Sequence, residues 1–253
     1  MDVVRLGPMQ FDRVLSFGRT GEELLAMFGL DPQEVGGLQV LDCPGGPGSL
    51  SCLLRRLGAA PTAVDPSYGL SAHDLEARTL EDIARVAAQQ PGDPTFRDDF
   101  DREGYFRAKQ EAFRQFQADR QEHPQNYLAA ALPRLPFADQ SFDLVLSGSL
   151  LFAYAPVGDG GLLQGAGLDL DWHAAALQEL LRVCRRELRV YPAHTLQGGA
   201  ARIHPYVAPL LEQLPPGWNH GQFPTRYDQG IQGEVVGLRL WRAAAGSGAH
   251  GTA

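Results

Sequence analysis

Two aspartates flank a run of glycines early in the chain. The stretch "VLDCPGGPGSLSCLLRRLG", Val40 to Gly58, brings an apolar run to Asp42, turns through Gly45, Gly46 and Gly48, and resumes as an amphipathic segment. Glycines between a buried strand and a helix let the backbone approach a ligand, and the start of the helix offers N–H groups with no partner of their own. "GPGSLS", from Gly46, misses the GxGxxG dinucleotide pattern only in its last glycine. Asp65 follows Gly46 at about the twenty-residue spacing that puts a carboxylate on ribose hydroxyls, in a nicotinamide or an adenosyl site alike. Each carboxylate also has a simpler reading. Asp42 could cap the turn, and Asp65 stands before Pro66, a common turn position.

Such residues need a frame to hold them. "LQVLDC" reads as a buried strand and "LSCLLRRLG" as a helix closed by Gly58, with "GEELLAMFGL" as a short helix before them and "PTAVDPS" as a second strand after. Strand, helix, strand in so short a span is a βαβ unit. The alternation then pauses between residues 66 and 125. "SAHDLEARTLEDIARVAAQQ" reads there as a helix capped by Ser71 and Asp74, "PGDP" as a break, and "YFRAKQEAFRQFQADRQ" as a helix with Phe106, Phe113 and Phe116 on one side. Strands return as "YLAAAL" and "FDLVLSGSLLF". "DWHAAALQELLRVCRR" is an amphipathic helix, "ELRVYP" a strand, and "QGEVVGLRLWR" an antiparallel edge strand. The expected architecture is one α/β domain: a Rossmann-like doubly wound sheet, mostly parallel with an antiparallel C-terminal edge strand, plus a helical insertion at 66–125. Residues 243–253, small and polar, are expected to fray.

Four stretches in order resemble the class I S-adenosylmethionine-dependent methyltransferases. "VLDCPGGPG" resembles that family's first strand and turn, and "VDPS" the end of its second strand. "LPRLPFADQSFDLVLSGSLLF", from Leu132, is similar to the segment leading into its fourth strand, and "ALQELLRVCRRELRVYP" to the helix and strand that follow. The resemblance spans residues 38 to 192. It implies S-adenosyl-L-methionine as cofactor, with Asp42 steadying the turn and the methionine ammonium. It further implies Gly45, Gly46 and Gly48 at the turn, Asp65 on the ribose, Ala131 and Leu132 beside the adenine, and Ser147 at the end of the fourth strand. Two departures stand out. Pro44 replaces a turn glycine and has no N–H, which moves the bend to Gly45 and Gly46. Ala131 and Leu132 replace an adenine-reading acid, which leaves adenine to backbone groups and apolar contacts.

Methyl transfer is an in-line displacement in which the protein mainly aligns donor and acceptor, and some acceptors also need a base. The acceptor is expected beyond the fourth strand, near Ser147, Ser149, Phe152 and Tyr154. Tyr154, His173 and His73 are the candidate catalytic groups, with His194 a further histidine, although each has an ordinary capping, surface or packing reading. Asp169 and Asp171 most simply cap the following helix. The insertion at 66–125 is expected to cover the acceptor as a lid, with Tyr68 and His73 near its hinge.

The totals narrow the partners. A net charge of -8 argues against a nucleic-acid or anionic-membrane surface, and the Arg55–Arg56 and Arg185–Arg186 pairs fall within helical segments. Cys43, Cys52 and Cys184 are scattered, without metal-ligand spacing, which points to no metal site and a reducing, cytoplasmic setting. No run has the length of a membrane span or a signal peptide. The leading expectation is a soluble enzyme acting on a small molecule. The alternatives are a methyltransferase-like protein that holds the cofactor or a partner without turnover, and a nicotinamide-dependent oxidoreductase with a dinucleotide-length cleft.

Overall fold

The computed structural model describes residues 9–89, 97–165, 167–197 and 199–242. The "PGDP" break and the 243–253 tail lie outside the described residues. Five strands run parallel: β1 (Gln39–Asp42), β2 (Ala60–Val64), β3 (Tyr127–Leu128), β4 (Phe142–Gly148) and β5 (Cys184–Tyr191). β6 (Trp218–Pro224) and β7 (Val236–Arg242) complete a seven-stranded sheet in the order β3-β2-β1-β4-β5-β7-β6, with β7 antiparallel to both neighbours. This is the expected doubly wound sheet, with an antiparallel pair at its edge where one strand was expected. "WNHGQFP" gives β6 away poorly, because an outermost strand tolerates polar residues, a glycine and a proline.

Alternation along the strands builds a core on each face. Val40, Leu144 and Leu146 pack under α1 (Gly21–Phe28) and α2 (Leu50–Arg56). Leu41, Val145, Leu188 and Val190 face α5 (Leu170–Val183) and α6 (Val207–Leu211). α3 (Ala72–Gln89) and α4 (Arg102–Glu122) connect β2 to β3. α1 begins with a capping box between Thr20 and Glu23 and ends on Gly29 in the left-handed region. Asp169 caps α5 by accepting the Trp172 N–H at 3.0 Å, and Ser71 accepts the Asp74 N–H at 3.1 Å.

Three elements differ from expectation. β4 stops at Gly148, and positive φ at Ser149 and Phe152 turns the chain away, so "SLLF" is loop. Only Tyr127 and Leu128 of "YLAAAL" pair with β2. Arg185 and Arg186 belong to β5 and not to a helix, because α5 ends at Val183 and buried Cys184 already pairs with Phe142. The phenylalanine stripe also divides. Phe113 and Phe116 pack with Tyr68 and Tyr127, while Phe106 meets Phe17 edge-on.

Candidate functional site

The strand order reverses between β1 and β4, and the crevice beyond their carboxyl ends is where a doubly wound sheet leaves room for a ligand. Asp42 ends β1 there. After it the turn is tied down by its backbone: Cys43 N–H donates to Leu146, and Gly45 N–H to Val64, both at 2.9 Å. Gly46 takes φ 52°, the left-handed conformation that glycine adopts without strain, so the bend falls where proline at 44 requires it. At Gly45 a Cβ would stand 2.5 Å from the Tyr68 hydroxyl, which donates to the Gly46 carbonyl at 2.7 Å.

Two cavities meet at this turn and share Val14, Leu15, Pro44, Gly46 and Asp65. The first, of about 130 Å³, is lined by Asp42, Gly45, Gly48, Arg19 and Tyr154, with apolar walls from Met9, Phe11, Phe17, Val86 and Leu162. The second, of about 330 Å³, lies between Cys43, Ser67 and Leu70 on one side and Ala131, Leu132 and Leu150 on the other. Of the residues singled out in the sequence, the crevice thus gathers Asp42, Gly45, Gly46, Gly48, Asp65, Ala131, Leu132 and Tyr154. Ser147 lines neither cavity. It is fully buried with its hydroxyl unpartnered, and Gly148 and Ser149 take the place expected of it.

The first cavity holds an acid and a cation, neither of them paired with a group of opposite charge. Asp42 is 4% exposed, and no described residue donates a hydrogen bond to its carboxylate. Burial, reinforced by the nearby charge of Asp65, pushes it up to about 8. Arg19 donates from Nε to the Tyr227 hydroxyl at 3.1 Å and lies over the Phe17 and Tyr227 rings. Among the described residues no carboxylate comes within ion-pair distance of it. Asp65 is more committed: Oδ1 accepts Ser67 N–H (2.8 Å) and Oγ–H (2.5 Å), and Oδ2 accepts Gly46 N–H at 3.1 Å. Its second oxygen keeps one lone pair towards the cavities.

A segment that the sequence reading passed over forms the roof. Residues 9–20 cross the crevice and are held from both sides. Phe11 and Leu162 bond through their backbones at 2.8 Å, and Leu15 N–H donates to Tyr154 Oη at 3.1 Å. From α3, buried Asp82 Oδ2 accepts both Ser16 N–H and Arg13 Nη1–H at 2.7 Å, while Thr79 and Ser16 hydroxyls meet at 2.9 Å. Gly18 passes so close to the turn that a Cβ would lie 2.1 Å from the Pro47 carbonyl oxygen. The signal was present as "FGRT", a glycine and a cation directly before a capping box, with apolar residues upstream.

The candidate bases are less favourably placed. His73 is exposed on α3 and lines neither cavity. His173 is buried beneath the loop after β4, where Nε2 accepts Phe152 N–H at 2.8 Å and Nδ1 meets the Asp169 carbonyl at 2.8 Å; burial lowers its pKa. His194 is likewise buried off the cavities, pushed down to about 4 by burial. Tyr154 does line the first cavity, but burial raises its phenol to about 12, and its oxygen already accepts a bond from Leu15. It is a hydrogen-bond donor to that space rather than a base.

No protein-family model matches the chain. An uncharacterised protein of Methanocaldococcus jannaschii is 23% identical over 193 residues, 74% of this chain and 80% of that one. Among solved structures, magnesium protoporphyrin IX methyltransferase from Synechocystis PCC 6803, with bound S-adenosylmethionine, is 17% identical, with TM-score 0.41, over 83% of this chain and 72% of that one. A 1,6-didemethyltoxoflavin-N1-methyltransferase from Burkholderia thailandensis, with its substrate and S-adenosylhomocysteine, is 14% identical with TM-score 0.43, over 88% and 76%.

Proposed function

We propose that the crevice binds S-adenosylmethionine and that the protein transfers its methyl group to a small, largely apolar acceptor. One observation carries this reading: the first cavity presents a carboxyl without a hydrogen-bond donor, Asp42, and a guanidinium without a carboxylate partner, Arg19. Together they complement the ammonium and carboxylate of an α-amino acid zwitterion, and buried groups left unpaired are costly unless a ligand completes them. The adjoining cavity supports the rest of the fit. Asp65, between the two spaces, would accept ribose hydroxyls on its remaining lone pair, and adenine would lie against Ala131 and Leu132.

The cofactor would bring an electrophilic methyl group on a sulfonium. The chain's own part is to bind, align and exclude water. Asp42 and Arg19 fix the amino-acid end, the glycine turn admits it closely, and Met9, Phe11 and Phe17 close the acceptor space. The roof at 9–20, latched by α3, is the lid in this reading, with the 66–125 insertion supplying its anchor. Among the described residues no histidine lines either cavity, so the acceptor atom must attack without first losing a proton to a base, as a heteroaromatic nitrogen or a thiolate does. That lack of a base also favours a second reading, in which the cofactor is held without turnover.

Calorimetric titration of wild-type protein and of Asp42→Asn and Asp65→Ala with S-adenosylmethionine tests binding. Micromolar affinity in the wild type, weakened at least tenfold in both variants, is the expected result; affinity unchanged in Asp42→Asn refutes the site. Release of S-adenosylhomocysteine with an acceptor panel separates the two readings.

A further inference from the structure

Behind Arg19, away from the crevice, the fold buries a second cation. Lys109 stands on α4 and is fully buried, which is rare for a lysine. Its Nζ donates to Glu23 Oε1 at 2.6 Å and to Tyr227 Oη at 3.2 Å, and it lies 4.1 Å from the centre of the Tyr105 ring. Arg19 Nε donates to the same Tyr227 oxygen at 3.1 Å. Two cations thus share one phenol oxygen, and Glu23 is the carboxylate beside them. Burial, with the charge of Arg19 added, pushes Lys109 down to about 7, so a second cation is costly here. An apolar side chain of similar volume commonly fills such a space without that cost.

What the lysine does is visible on Glu23. This residue is in the first turn of α1, four positions after Arg19. Of the carboxylates, it is the one whose charge acts most strongly on the Arg19 guanidinium. Both of its oxygens are taken: Oε1 by Lys109, and Oε2 by the Thr20 N–H at 2.8 Å. Arg19 is therefore left to line the first cavity, whereas Lys109 lines neither cavity. Were Oε1 released, Glu23 and Arg19 could form the charge-assisted pair that a guanidinium favours, and the cation would turn from the cavity into the protein.

We propose, resting on the cofactor reading above, that Lys109 is a positioning residue: it holds Glu23 off Arg19 and so keeps the guanidinium facing the cavity for the carboxylate of the methyl donor. Lys109 comes from the 66–125 insertion, which in this way serves the donor end of the crevice as well as anchoring the roof. The consequence is selective. Ligands that carry the amino-acid carboxylate depend on Lys109, and ligands that lack it do not.

The test is calorimetric titration at pH 7 with S-adenosylhomocysteine and with methylthioadenosine, which keeps the adenosine and the sulfur but has no amino-acid end. The wild type, K109M and E23Q/K109M are compared, each first checked for a cooperative melt. Glutamine at position 23 preserves the capping box of α1. K109M should bind S-adenosylhomocysteine about tenfold more weakly than the wild type and methylthioadenosine within about twofold of it. E23Q/K109M should recover S-adenosylhomocysteine to within about threefold of the wild type, because no carboxylate is left to compete for Arg19. That recovery is what a merely structural lysine would not give. Equal losses for the two ligands in K109M overturn the proposal, as does a tenfold loss of S-adenosylhomocysteine that persists in E23Q/K109M. The double variant carries neither buried charge, so it decides the matter alone if K109M does not melt cooperatively. A wild type that fails to bind S-adenosylhomocysteine overturns the cofactor reading and this proposal together; a wild type that binds it, with K109M unaffected, overturns this proposal only.

Discussion

Replacing Asp42 by asparagine should remove a proton from the binding reaction and, at the same time, make the empty protein more stable. Burial in the crevice raises the carboxyl to about 8, so near pH 7 about nine in ten ligand-free molecules would carry it protonated. A cationic ammonium needs it ionised. Binding at pH 7 should therefore release about 0.9 proton per ligand, and affinity should rise about tenfold per pH unit between pH 6 and 7.5, equivalent to about 1.4 kcal/mol per unit. Above that the ligand's own α-amino group, with a pKa near 8, begins to lose its charge. The stability effect has the opposite direction. The folded state holds this proton more tightly than the unfolded chain, whose aspartates titrate near 3.8. The stability it contributes is therefore present in acid and lost as pH rises from about 4 through 8. Asparagine has no such proton to lose, so Asp42→Asn should melt at a higher temperature than wild type at pH 8, the gap shrinking towards pH 4. The assay is calorimetry with S-adenosylhomocysteine in buffers of different ionisation enthalpy, paired with thermal melts of both proteins. Buffer-independent heats in the wild type, with pH-independent affinity, would refute the reasoning.

His194 and His204 are both pushed down to about 4, by burial. Unfolded histidines take up protons near 6.5, so stability should fall as pH drops from 6.5 to 4. Opposed by the Asp42 proton, the two histidines leave a net uptake of less than one proton on unfolding, so stability should be about 1 kcal/mol lower at pH 5 than at pH 7, readable by urea denaturation. Gly18→Ala should displace the roof, whose backbone leaves no room for a Cβ, and cost at least about 2 kcal/mol in thermal or urea unfolding. Asp82→Ala removes the buried acceptor of the Ser16 and Arg13 bonds; residues 9–20 should then exchange amide hydrogen faster, with acceptor KM raised more than cofactor Kd. Tyr154→Phe should lower kcat by no more than about tenfold and leave the pH profile unchanged, as suits a donor. A thousandfold loss with an altered alkaline limb would make Tyr154 a base.

Much of the frame was legible because it follows from local pattern. Apolar runs ended by Asp42 and Val64, glycines between them and the period of α5 all act over a few residues, which is why the βαβ unit could be read. Asp42 and Asp65 were legible as crevice carboxylates for the same reason, being fixed by strand ends. What escaped depended on distant contacts. Nothing near Ser147 in sequence says that its side chain turns into the core while Gly148 and Ser149 face the cavity. Arg19 shows its place only when residues 9–20 are folded over the turn. Arg185 and Arg186 read as a helix end because "LLRVCRR" keeps helical spacing, yet the pairing of Cys184 and Glu187 with β4 on either side draws them into a strand. β6 was lost for want of alternation, since its neighbour β7 and not its own pattern defines it.

One crevice is proposed to hold S-adenosylmethionine between Asp42 and the Ala131–Leu132 wall. A crystal structure with S-adenosylhomocysteine tests it most directly. The expected result is the α-ammonium within hydrogen-bond distance of Asp42, the α-carboxylate on Arg19 and the ribose on Asp65, with adenine against Leu132. Ligand bound elsewhere, or a crevice left empty at saturating concentration, would contradict it.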